Sequence, residues 1–177
     1  MQPIVTEELV LRPFTMDDLS AFVTAVRESE KTVGEWLSWW HPGYDEPEAR
    51  QFFTEMAAAV EARRGFDIGV FAADGETFVG GVSINHIDHE NRVGNVGYWI
   101  RESRQNQGYC TRAVRAMTGF GFETLGLVRL EIIVLVDNVP SRRVAEKCGG
   151  TLDCIAENRL IHHGRPSAAA VYALLPS

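Results

Sequence analysis

The sequence predicts an α/β (α+β) layer fold with a β-sheet at its centre. Its periodic segments run strand, helices, three antiparallel strands, helix, strand, helix, two strands, the mixed order that a layered fold around a central sheet produces. Asp74-Gly75 separates two apolar runs as a hairpin turn does. From Tyr98 to Thr111 a strand pattern passes through a glycine-containing loop straight into helical spacing, so one junction couples the sheet to a helix. The length of 177 residues suits one compact domain spanning 1–177.

Leu9-Val10-Leu11 reads as a short strand ending at Arg12-Pro13. Thr15 is then an N-cap, and Asp17 and Asp18 suit the positive end of the helix that carries Leu19, Phe22, Val23 and Val26. Trp36, Trp39 and Trp40, three of the four tryptophans, fall within five positions. Such a cluster is either a plug over the core or an aromatic wall for a ligand pocket. Residues 47–64 are predicted as a second helix, with Phe52, Phe53, Met56, Ala59 and Val60 along one side. Residues 66–73 and 77–87 form the hairpin strands, and Asn91-Arg92 opens a third, in which Val93, Val96, Tyr98 and Ile100 alternate loosely with Gly94, Gly97 and Trp99.

The helix that follows carries Ala113, Val114, Met117, Phe120 and Phe122 and closes near Gly126. Residues 128–136 are apolar apart from Arg129 and Glu131, as in a buried strand. Asn138 then caps a helix with Pro140 in its first turn, apolar Val144, Ala145 and Cys148, and a stop at Gly149-Gly150. Two last strands, 151–161 and 168–175, flank a turn at His162-His163-Gly164. There is no repeat, low-complexity tract or linker.

A net charge of −7 argues against a nucleic-acid groove, whose affinity comes from Lys and Arg neutralising phosphates, and tilts toward a cationic partner such as an amine. Cys110, Cys148 and Cys154 are odd in number and lack a Cys-x-x-Cys spacing, so neither a disulfide framework nor a zinc site is expected, and a reducing cytoplasm is the simple reading. Residues 1–8 hold two acids and no apolar run, predicting no signal peptide. No stretch approaches the roughly 20 apolar residues that cross a bilayer.

The loop Gln105-Asn106-Gln107-Gly108-Tyr109-Cys110-Thr111 feeds a helix N-terminus, where unpaired N–H groups and the helix dipole make an anion seat. One glycine before a helix is also ordinary turn chemistry. The loop is neither a nucleotide P-loop, since no Gly-Lys-Ser/Thr follows, nor the three-glycine dinucleotide fingerprint.

Taken together, Leu9-Val10-Leu11-Arg12-Pro13, Trp36-Leu37-Ser38-Trp39, Gly97-Tyr98-Trp99-Ile100, Asp137-Asn138-Val139-Pro140-Ser141 and Val171-Tyr172-Ala173-Leu174-Leu175 resemble, in order and separation, the GNAT superfamily of N-acetyltransferases, in its RimJ/RimL branch. The resemblance spans nearly the whole chain. It implies a central, mostly antiparallel mixed sheet with splayed fourth and fifth strands and helices on both faces. It also implies acetyl-CoA as cosubstrate, with no metal. The family's pyrophosphate loop, Q/R-x-x-G-x-G/A, is matched at Gln105 and Gly108, with Cys110 where Gly or Ala is usual. The pantetheine arm is then expected between the strand through Trp99, Ile100 and Arg101 and the strand beginning at Val128, hydrogen-bonding like an added strand. Backbone N–H near Ile100 would polarise the thioester oxygen. Asn138 and Ser141 match a second signature, and the resemblance gives Ser141 the role of protonating the CoA thiolate; a first-turn hydroxyl capping its own helix is the plainer alternative.

The departures concern the base. Asn95 stands where family members commonly carry Glu, and Asn158 and Ala168 stand at two other positions where acids are common. A lysine amine of pKa near 10.4 is only about 0.1% neutral at pH 7.5, a deficit of roughly 4 kcal/mol, whereas an α-amine near 7.8 is about one-third neutral. A site poor in bases therefore favours an α-amine, and a protein N-terminus is the expected acceptor, with a small-molecule amine and a non-catalytic acyl-CoA-binding module as alternatives. Trp36, Trp39, Trp40, His86 and Asn95 are the expected acceptor contacts, and His86, Asp88, His89, His162 and His163 are candidates to accept or relay the proton. His86-Ile87-Asp88-His89 otherwise reads as solvated polar side chains rather than metal ligands. Cys110 is either a helix-activated thiolate or an inert small residue. No nucleic-acid or membrane partner is expected, and the resemblance makes a homodimer plausible.

Overall fold

The computed structural model describes residues 1–176. Strands β1 (Ile4–Val5) and β2 (Leu9–Arg12) lead to helix α1 (Leu19–Glu28), a π-helical turn (Glu30–Gly34) and helix α2 (Glu46–Glu61). Strands β3 (Phe66–Ala72), β4 (Phe78–Asp88) and β5 (Val93–Ile100) follow. Helix α3 (Tyr109–Glu123), β6 (Arg129–Leu135), helix α4 (Val139–Lys147), β7 (Thr151–His162) and β8 (Arg165–Leu174) complete the order. The expected elements are present, with β1 added and the last strand beginning three residues earlier than 168, because the turn is tight: His163 and Gly164 both take positive φ.

Several ends form as local chemistry requires. Asp45 closes a capping box with Glu48 at the start of α2. Thr15 forms another with Asp18, which opens a 3-10 turn before α1. Asn138 accepts from the backbone N–H of Ser141 at 3.2 Å and so caps α4.

The strands form one sheet in the order β1-β2-β3-β4-β5-β6-β8-β7, antiparallel except for β5 beside β6. That parallel pair is joined only from Val93–Asn95 to Arg129–Glu131, after which the two strands part, as the resemblance implies. One face of the sheet packs α3 and α4 through Ala113, Val114, Met117 and Ala145 against Ile84, Val96, Leu130 and Ile132. The other packs α1 and α2 through a ring cluster of Phe14, Phe22, Phe53, Phe78 and Trp99. Met117 has no exposed surface, so its truncation to alanine should cost about 2–5 kcal/mol.

On the α1/α2 face the register aligns a polar row. Asp67 of β3 lies opposite Ser83 of β4, Ser83 opposite Gly97 of β5, Asn85 opposite Asn95, and Asn95 opposite Glu131 of β6. Gly97 is required there, because a Cβ would come within 2.8 Å of Ser83 Oγ.

Candidate active site

The parted strands lead to two helix N-termini. The loop before α3 bends through Asn106 (φ +60°) and Gly108 (φ +79°), and α3 starts with no side-chain cap. Its first-turn N–H groups therefore have no intrahelical or capping partner and suit an anion. Arg112 sits in that first turn, opposed to the helix dipole, where it donates to the Gln107 carbonyl at 2.9 Å and pairs with the Glu8 carboxylate at 2.7 Å. A Cβ at Gly108 would stand 2.7 Å from Arg112 Nη1, so the positive φ and the close guanidinium both require glycine.

Other members of the expected loop shape it. Gln105 donates from its side-chain amide to the Ile100 carbonyl at 3.0 Å and to Thr32 Oγ1 at 3.1 Å. Arg101 turns away from the loop and pairs with Glu28 at the end of α1, which also accepts from Ser103. Hydrogen bonding from Arg101, aided by Ser103, lowers the Glu28 carboxyl to about 2. The Arg101 side chain thus clamps the loop to α1. Trp99 buries its ring among Phe22, Phe78 and Trp39, and its backbone lies opposite Gly81 in the β4/β5 ladder.

At the α4 N-terminus, Ser141 Oγ donates to Tyr98 Oη at 3.0 Å, and the Tyr98 hydroxyl donates to the Ser141 carbonyl at 2.9 Å. The pair bridges β5 and α4 across the gap where the strands part. Burial drives the Tyr98 phenol far above its ordinary pKa, so it stays neutral. Sequence reasoning missed Tyr98 and Arg112. Period-two alternation puts Tyr98 on the opposite face from Trp99, and Arg112 finds its carboxylate partner in Glu8, remote in sequence.

Cys110 lies beside this pair, partly buried. Burial, with Cys148 nearby, pushes its thiol strongly up, and Cys148 itself rises to about 11. Desolvation thus opposes the helix dipole at this thiol.

On the other side of the sheet, a cleft of about 350 Å³ opens between Trp36 and His162, floored by Leu135 and Ala168, with Glu35, Asp137 and Ser167 at its edges. The Trp36 and His162 rings stack at 6.1 Å and 13°. The three-tryptophan wall therefore divides. Trp36 lines this cleft, Trp39 stands half-exposed against Tyr44 and Trp99, and Trp40 is held in the α1/α2 packing by donating to the Val26 carbonyl at 2.9 Å. His86 is exposed in a bulge of β4 with φ +49° and does not line the cleft. Asn95 donates to Asn85 Oδ1 at 2.9 Å, while its own Oδ1 is buried without a partner, an arrangement that costs about 1–3 kcal/mol until a donor arrives. Asp67, at the far end of the row, is raised by burial and lowered in part by the Ser83 hydroxyl and the nearby His86. Among the described residues, no cluster of His, Cys, Asp or Glu is arranged to hold a metal ion, and no helix is long and apolar enough to cross a membrane.

The acetyltransferase (GNAT) domain family matches residues 8–151. The chain belongs to this family. This GNAT acetyltransferase is 36% identical to a Vibrio cholerae protein assigned as a ribosomal-protein-serine acetyltransferase, with a TM-score of 0.88, covering 99% of this chain and 98% of that one. It is 24% identical to the ribosomal-protein-serine acetyltransferase of Escherichia coli, over 89% of this chain and 88% of the relative. The structure of RimL, a ribosomal L7/L12 α-N-protein acetyltransferase in complex with coenzyme A, shares the fold at a TM-score of 0.90 and 22% identity, with 98% of each chain covered. The protein is therefore an acetyl-CoA-dependent N-acetyltransferase. Its own residues fit that cosubstrate: an uncapped helix start with Arg112 beside it suits a diphosphate, and the unpaired stretch of β5 suits an amide-bearing arm.

Proposed function

We propose that this acetyltransferase modifies the α-amine of a protein or peptide N-terminus in the cytoplasm. The cleft between Trp36 and His162 carries the reading. It is open, apolar at its floor and edged by Glu35 and Asp137, so an extended chain end can lie in it while the carboxylates favour the approaching cation. The relatives that are ribosomal-protein-serine acetyltransferases support the same acceptor class.

In this reading the loop Gln105 to Thr111 seats the diphosphate on the N–H groups of Gly108, Tyr109, Cys110 and Thr111, with Gln105 holding the loop's shape and Asn106 and Gln107 forming its outer wall. The backbone of Trp99, Ile100 and Arg101 receives the pantetheine arm and polarises the thioester oxygen. The neutral amine attacks the carbonyl carbon, the C–S bond breaks as Ser141 gives its hydroxyl proton to the departing thiolate, and the proton lost by the amide nitrogen passes through solvent to restore the Ser141 hydroxyl. Asn138 fixes Ser141 by capping its helix, and Tyr98 orients the hydroxyl.

The test is CoA release with matched peptides, one with a free serine or alanine N-terminus and blocked lysines, the other with a blocked N-terminus and a free lysine. The free N-terminus should be the better substrate. Faster turnover of the lysine peptide overturns the proposal.

A further inference from the structure

We infer that Asp67, a positioning residue remote from the reacting atoms, sets the orientation of the Asn95 side chain so that an acceptor oxygen meets the incoming amine. The inference rests on the reading that an amine is acetylated over the α1/α2 face of β5.

The argument is one of donors and acceptors. An ionised carboxylate only accepts, so Ser83, directly opposite Asp67 in the β3/β4 register, turns its hydroxyl proton toward it. Ser83 Oγ is then left as an acceptor, and Asn85 Nδ2 donates to it at 3.1 Å. With Nδ2 committed, Asn85 presents Oδ1 to Asn95, whose Nδ2 donates at 2.9 Å. Asn95 is left with Oδ1 free, and that atom is buried without a partner.

Every donor in the row thus points toward Asp67, and the chain ends on a lone pair. Were the row reversed, Asn95 would present N–H to an amine that itself must donate. The carboxylate missing at position 95 is replaced by one placed three links away, and no proton travels along the amides. Gly97 leaves space for Ser83 Oγ in the middle of the row, and a Cβ there would close it. Asp67 also lines a small slot of about 170 Å³ beneath α2, with Phe14, Phe53 and Met56. His86 is the titratable side chain near it from β4.

The test compares Asp67→Asn in two backgrounds, the natural chain and Asn95→Asp, using a serine-starting peptide. An asparagine at 67 can donate, so the row is free to reverse. We expect kcat to fall by about tenfold, the equivalent of one hydrogen bond, with acetyl-CoA affinity within about twofold of the natural chain. With Asn95→Asp the acceptor at 95 no longer depends on the row, and Asp67→Asn should then cost less than about twofold. An unchanged kcat in the natural background, or an equal loss in both backgrounds, overturns the inference. A readout independent of turnover is the side-chain amide resonance of Asn95 in ¹⁵N-labelled protein, identified by its disappearance in Asn95→Asp. Asp67→Asn should shift it, and an unmoved resonance overturns the inference as well. If the natural chain acetylates no N-terminal peptide while the resonance still shifts, the acceptor reading fails and the orienting row stands.

Discussion

Replacing Ser141, the proposed proton donor to the thiolate, by alanine leaves the loop before α3 intact. Turnover should fall by about 10²–10⁴-fold while calorimetric acetyl-CoA affinity stays level; equal turnover would reduce Ser141 to a helix-start hydroxyl. Tyr98→Phe tests the bridge differently: it keeps the ring in the gap and removes the acceptor for Ser141 Oγ, so kcat should fall without loss of thermal stability beyond about 1 kcal/mol. Ser141 was legible in the sequence because its signal is local, an Asn three residues ahead of it at a helix start. Tyr98, Arg101 and Trp40 were not, because their partners Ser141, Glu28 and Val26 lie 43, 73 and 14 residues away. Side-chain type shows that a polar atom needs a partner, and only the fold shows which one it has.

Among the elements, the start of α3 is the most exposed to change. Gly108→Glu combines an unfavourable φ with a carboxylate at a seat made for an anion, and acetyl-CoA binding by calorimetry should be lost; micromolar binding by the variant would place the diphosphate elsewhere. The loop's clamp to α1 makes a pH prediction. Glu28 sits at about 2 in the fold against 4.5 as its ordinary value, so its contribution is present above pH 4.5 and is lost as the pH falls toward 2. Glu28→Gln should therefore be less stable than the natural chain by about 1 kcal/mol at pH 7, a modest figure because solvent screens the pair, and the gap should close on acidification. A gap that is constant with pH would show that packing, not charge, holds the clamp. The strands and helices themselves were legible from periodicity. The bulge that turns His86 out of the row was not, since one extra residue in β4 inverts the alternation beyond it.

At the scale of the whole molecule, the cleft joins parts far apart in sequence, the turn carrying Trp36 and the β7–β8 hairpin carrying His162. Trp36→Ala should raise KM for the peptide by roughly fivefold, about 1 kcal/mol of lost ring contact, with acetyl-CoA affinity unaffected. Sequence reasoning placed the tryptophans together but had no means of dividing them among cleft, half-exposed surface and helix packing, which depends on the path between α1 and α2. Strand order, by contrast, followed from a resemblance that spans nearly the whole chain. The parting of β5 from β6 has a thermal consequence. Backbone groups of residues 96–100 that face the gap have no strand partner, and in the proposed reading the sheet is finished there by a molecule the enzyme consumes. Acetyl-CoA at a hundredfold excess over its Kd adds about 2.7 kcal/mol, equivalent to a rise of roughly 5–10 °C in Tm, and should slow amide exchange in that stretch. Without acetyl-CoA the same protein should be cleaved faster in limited proteolysis, and adding acetyl-CoA should slow the cleavage.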